Sequence, residues 1–161
     1  MAHVALADQE QLPEDLKGIS GISVIMARAP EVTRIWRQLD GIFFRESSPL
    51  SANLKEQSRR SLAQTVGCRF CNSLGEVSAT PEDNREALAV AFAQLLATDH
   101  SQITAETFDL LREEFSEEEI VELVAWLCFK FAGNLFGAVM NVEPATEDEV
   151  AAYRQRIGVS A

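Results

Sequence analysis

Residues 54–75 read LKEQSRRSLAQTVGCRFCNSLG. Leu54 to Val66 has the make-up of a helix, entered from Ser51, a residue type that caps helix starts. Gly67 lets the chain change direction, so Cys68 is expected to open a new helix with Cys71 one turn in. At that spacing the two sulfurs lie on neighbouring sides of one turn and can join in a disulfide. Free backbone N–H groups at a helix start favour a thiolate, and Arg69 between the cysteines adds positive charge. The same spacing also suits half of a metal site, or two small buried residues. A structural zinc site takes four ligands, and the remaining cysteine and histidines are Cys128, His3 and His100. Cys128 reads as a small core residue, His100 as a solvated loop residue and His3 as part of a loose terminus, so no metal or cofactor is expected.

Helix signals continue on both sides. In PEVTRIWRQLDGIFF, Pro30 suits a first turn, and Val32, Ile35, Trp36, Leu39, Ile42 and Phe43 form one apolar stripe. Pro49 and its polar neighbours break that helix. Thr80–Asp83 (TPED) reads as a cap followed by a first-turn proline, launching a helix through Leu96. HSQIT is a loop, and TAETFDLLREEF is a short helix with Phe108, Leu111 and Phe115 inward. Ser116–Glu119 (SEEE) and Thr146–Glu149 (TEDE) are capping boxes, the second for a terminal helix ending near Gly158. No stretch alternates with period two. The expectation is one all-α domain over residues 1–161, with a core of about 12–144 and six to eight helices.

The helix opened by SEEE is apolar nearly all round and must be covered on every side. Leu123, Leu127, Phe131 and Leu135 would form one seam, which points to self-association. Glu122, Lys130 and Asn134 within it argue against a membrane span. A net charge of −11 disfavours nucleic-acid binding. The first twenty residues lack the basic start and apolar run of a secretory signal, so a cytoplasmic location is expected. Thiols there stay reduced, and a Cys-x-x-Cys pair is more often catalytic or metal-binding than a structural staple.

Glu56 stands twelve residues before Cys68 on the preceding helix. That spacing, together with EEFSEEEIVELVAWLCFKFAGNLFGAVMNVEP at 113–144, resembles the AhpD-like alkylhydroperoxidases of the carboxymuconolactone decarboxylase family. The likeness runs from about Leu12 to Pro144. It implies an all-helical fold, a homo-oligomer (trimer or hexamer), and a thiol-dependent peroxidase or disulfide oxidoreductase with an antioxidant role. Cys68 and Cys71 match the redox pair and Glu56 the relay glutamate. The implied partners are a hydroperoxide or disulfide substrate and a dithiol reductant. Cys71 matches the more buried cysteine of the family and is the expected peroxide-reactive thiol. One position departs: the family's relay histidine is Gly75 here. Two other readings remain: a lactone decarboxylase-like enzyme of the same family, and an oligomeric module without catalysis. Read without the resemblance, Glu56 could instead be an ordinary surface pair with Arg59 or Arg60. Asn134 reads as a buried packing or oligomer contact rather than a catalyst.

Overall fold

Ser51 accepts a hydrogen bond from the Leu54 N–H (3.1 Å) and starts the helix on which the rest of the chain is built. The computed structural model describes residues 1–158. Among these the α-helices are α1 (Ile22–Met26), α2 (Pro30–Phe43), α3 (Ala52–Val66), α4 (Arg69–Ser73), α5 (Asn84–Asp99), α6 (Ala105–Arg112), α7 (Glu117–Val139) and α8 (Glu147–Ile157), with three short 3-10 turns and no strand. The all-α expectation of six to eight helices is met. α3 packs mainly on α5 and α7, and α4 follows it into the angle between α3 and α7.

The most buried helix is α3, one of the least apolar by composition. Every residue from Leu54 to Ala63 is buried, including Lys55, Glu56, Arg59 and Arg60. Charges survive there because each has a partner. Lys55 Nζ meets Glu122 Oε1 of α7 at 2.8 Å, and Glu56 lies between two arginines. Trp126 is fully buried between Phe43 and Phe44, and its indole N–H donates to the Lys55 carbonyl at 3.0 Å. Burying a side chain of that size is worth roughly 1.5–3 kcal/mol or more, so the α2–α3–α7 junction anchors the core.

α7 begins at the expected capping box: Ser116 and Glu119 exchange bonds with each other's backbone N–H. Its burial differs from the expectation. Leu123 and Leu127 are fully buried in the chain's own core, so they are not a free seam. Val121, Ala125, Cys128, Ala132, Leu135 and Val139 face outward instead. Cys128 is thus exposed, correcting its reading as a core residue. α2 departs in the same way. Val32, Ile35, Leu39 and Ile42 of its apolar stripe are exposed, while Thr33, Asp40 and Phe43 turn inward and Trp36 stacks on Phe129 (centroids 4.8 Å). A polar Asp40 can face inward because Lys130 and Arg156 pair with it. By length and composition alone α7 could cross a membrane, and no other helix among the described residues could.

Two ends shift. α5 is capped by Asp83, whose side chain accepts from the Glu86 N–H at 2.8 Å, not by Thr80. His100–Gln102, expected as loop, forms a 3-10 turn. α8 follows its reading: Thr146 and Glu149 form the box, and Gly158 closes the helix in the left-handed region.

Candidate functional site

The chain turns at Gly67, in the left-handed region, and Cys68 becomes the N-cap of α4. Its Sγ accepts from the Cys71 N–H at 3.1 Å. Cys68 and Cys71 stand as a disulfide with their Cα atoms 5.2 Å apart. Both are buried, and the order is the reverse of that expected: Cys68 is the one fully enclosed. Gly137 of α7 explains the enclosure. A Cβ there would lie 2.6 Å from Cys68 Sγ and 3.5 Å from Cys71 Sγ, so only a bare backbone lets α7 close over the sulfurs. Cys71 instead lines a cavity of about 370 Å³ between α1, α2, α4, α7 and α8.

Glu56 is fully buried and makes four strong contacts. Arg59 donates to both of its oxygens at 2.8 Å, Arg60 Nε donates to Oε1 at 2.8 Å, and the Tyr153 hydroxyl donates to Oε2 at 2.7 Å. The surface-pair alternative is therefore wrong: the pair is interior, where three donors from two helices share one carboxylate. Burial pushes the Glu56 carboxyl up, but Arg59, Tyr153 and Arg60 outweigh it and hold it below the usual carboxylate range. Burial raises the Tyr153 phenol, and the neighbouring Glu56 carboxylate adds to the rise. Glu56 thus stays a carboxylate and Tyr153 stays protonated at neutral pH.

Arg59 connects this group to the dithiol. Its Nη1 donates to the Cys71 carbonyl at 2.9 Å, on the far side from Glu56. The Arg60 guanidinium occupies the space that a side chain at position 75 would take. Gly75 has φ +150°, and a Cβ there would lie 2.9 Å from the Arg60 guanidinium. That guanidinium also donates to the Glu76 carbonyl at 2.9 Å. So where the resemblance leads one to expect an imidazole, this chain carries a permanent cation on Glu56. Arg69, expected to add charge at the sulfurs, pairs with Glu143 (2.7 Å) at the surface.

Four further residues of the site, Tyr153, Asp40, Lys130 and Arg156, were not assigned to it from the sequence. Tyr153, the chain's one tyrosine, reaches Glu56 from α8, 97 residues away. Lys130 and Arg156 share the Asp40 carboxylate on the cavity wall. Burial pushes Asp40 up, but those two cations outweigh it and keep it below the usual carboxylate range. Burial draws Lys130 down and Asp40 opposes it. Asn134, read as a packing residue, lines the same cavity; it is buried, and its Nδ2 has no hydrogen-bond partner among the described residues. No group of three potential metal ligands occurs among the described residues.

Comparison with family models gave no match, and comparison with curated proteins gave none. Comparison with solved structures did. The chain is similar to the AhpD core of an alkylhydroperoxidase, an uncharacterized peroxidase-related protein from Ralstonia eutropha JMP134, with a TM-score of 0.77. The match covers 91% of this chain and 93% of that one at 14% identity. A likeness of that extent at so low an identity speaks for the backbone arrangement. This chain has the AhpD-like all-helical fold.

Proposed function

We propose that the protein is a thiol-dependent peroxidase or disulfide oxidoreductase whose working group is the Cys68–Cys71 dithiol. The observation that carries the reading is the position of Cys71, at the cavity wall and held at its carbonyl by a buried arginine. In the reduced protein the Cys71 thiolate attacks the terminal oxygen of a hydroperoxide. The S–O bond forms as the O–O bond breaks, and the departing alkoxide takes up a proton to leave as an alcohol. Cys68 then attacks the Cys71 sulfenic acid, water leaves, and the disulfide results. A dithiol reductant returns two electrons and two protons. With a disulfide substrate, the same thiolate attacks sulfur instead.

Activation of the thiol follows from charge rather than from a base. Arg59 and Arg60 bring two positive charges and Glu56 one negative, so the buried group beside Cys71 carries a net +1. A neighbouring cation favours thiolate over thiol. Arg59, Tyr153 and Arg60 hold Glu56 ionised, which makes it a weaker proton acceptor than a free carboxylate; in this reading it chiefly positions the arginines. The cytoplasm, where dithiol reductants abound, is the proposed place of action.

Thiol trapping tests the proposal. Reduced protein exposed to a stoichiometric organic hydroperoxide should form a Cys68–Cys71 disulfide that dithiol reverses, located by peptide mass spectrometry after alkylation. Cys71→Ser should abolish turnover. Cys68→Ser should stop at a sulfenic acid on Cys71. Both thiols staying reduced under peroxide and under a disulfide challenge would overturn the proposal.

We also propose self-association, as a trimer or hexamer. The exposed apolar rows on α2 (Val32, Ile35, Leu39, Ile42) and α7 (Val121, Ala125, Cys128, Ala132, Leu135, Val139) repeat every three or four residues and contain no charge. Light scattering should give a mass well above 17.8 kDa, and Ile35→Glu with Leu39→Glu should lower it. A monomer at micromolar concentration would refute the assembly.

A further inference from the structure

We infer that the cavity beside Cys71 is a binding site for a carboxylate-headed amphiphile: an apolar body carrying one carboxylate. The site overlaps the proposed redox centre, but the inference does not rest on thiol chemistry. Three independent features support it.

The first is charge. The chain as a whole carries −11, yet the cavity is lined by Arg37, Arg59, Lys130 and Arg156 against only Asp40 and Glu149. The cations are incompletely neutralised by design of the pairing. Lys130 and Arg156 share one carboxylate, and Arg59 and Arg60 share another. Arginines keep their charge at any working pH. A positive recess in an acidic surface draws in anions and repels cations.

The second is the unpartnered amide of Asn134. A buried donor without an acceptor costs about 1–3 kcal/mol, so such groups persist where something else supplies the acceptor. Asn134 sits one turn before Gly137, the residue packed on the sulfurs, on the cavity side of α7. A carboxylate only accepts hydrogen bonds when ionised, and it can take several at once. It suits an amide N–H in a cavity that guanidinium groups also line.

The third is the rest of the lining. Met26, Trp36, Phe70, Leu74 and Phe129 give it an apolar surface with aromatic rings. A volume of about 370 Å³ falls within the range of small-molecule sites. A small inorganic anion would leave that surface uncovered, and a neutral lipid would leave the cations and Asn134 unanswered.

Equilibrium binding to the full chain decides the matter. Cys68→Ser/Cys71→Ser protein removes thiol chemistry, and Trp36 in the wall reports occupancy by fluorescence. Octanoate, octanol and octylamine are the probes. Octanoate should bind saturably, at least ~10-fold more tightly than octanol, with octylamine not binding. Asn134→Leu, of similar size, should weaken octanoate about 10-fold, as loss of a hydrogen bond to a charged group does. Should that variant fail to fold, Arg37→Gln at the exposed rim should still weaken octanoate several-fold and reduce its salt dependence. Equal binding of octanoate and octanol, or no octanoate binding by folded protein, overturns the inference. Thiol trapping on the wild type is read separately, so a failed carboxylate site and a failed redox centre give different results.

Discussion

Glu56→Ala should cost about 3–5 kcal/mol of stability, the usual consequence of removing one partner from a buried ion cluster. Arg59 and Arg60 would remain in the interior with no counter-charge, and the Tyr153 hydroxyl would lose its acceptor. Urea unfolding at pH 7 measures the loss. Glu56→Gln keeps the shape and part of the hydrogen bonding, so its loss should be smaller, and its pH dependence is the sharper test. Arg59, Tyr153 and Arg60 hold the Glu56 carboxyl below the usual carboxylate range in the folded protein. A depressed carboxyl contributes stability that is fully present above the unfolded pKa and is lost as pH falls through the folded one. Wild-type stability should therefore drop on acidification below about pH 4.5, while Glu56→Gln should show a shallower acid limb. A Glu56→Ala protein within 1 kcal/mol of wild type, with an unchanged acid limb, would mean that the carboxylate does not bind the cluster together.

The sequence disclosed much of the fold because helix starts are chemically local. The Ser51 cap and the boxes at Ser116 and Thr146 act within one turn, and all three stand where they were read. The TPED reading slipped by one turn because Asp83 competes with Thr80 for the same role. Burial was harder to read because it is a property of the assembled helices. Apolarity pointed to α7 as the helix to be covered on every side, while the charges on α3 allowed Glu56 to be read as a surface pair. In the structure α3 is central, since its lysine, glutamate and arginines find partners that no local pattern discloses: Glu122 is 67 residues from Lys55, and Tyr153 is 97 from Glu56. The two cysteines were legible through their spacing, and Glu56 through the family resemblance. Arg59 and Arg60 were visible at i+3 and i+4, and a run of two arginines after a glutamate on the helix leading into Cys-x-x-Cys was the available signal. Asn134 and the Asp40–Lys130–Arg156 cluster carried no local signal; only the folded cavity brings them beside Cys71.

Restoring the histidine should not restore a relay. Gly75→His meets two obstacles in this chain. At φ +150° a residue with a side chain is strained, at a cost of order 1–3 kcal/mol. Its Cβ would also press on the Arg60 guanidinium, which is fixed between Glu56 and the Glu76 carbonyl. Displacing Arg60 leaves one cation where two stood, and with it goes the net charge that favours the Cys71 thiolate. Gly75→His is thus expected to lose at least ~3 kcal/mol, strain and disrupted ion pairing together, and to react more slowly with hydroperoxide than wild type. Gly75→Ala separates the causes, because it adds the strain and the close contact without an imidazole. Arg60→Ala with Gly75→His frees the space but keeps the backbone strain, so it should recover only part of the stability. Thermal melts and single-turnover oxidation across pH 5–9 check all three. The informative opposite would be a Gly75→His protein as stable as wild type that oxidises faster, with a rate rising through a group of pKa near 6.5, the ordinary histidine value. That would make Gly75 a simple loss from a relay still able to accept its histidine. The expected result makes glycine and Arg60 one unit: the bare backbone at 75 is the space that the guanidinium occupies, and proton transfer through an imidazole has given way to a fixed positive charge.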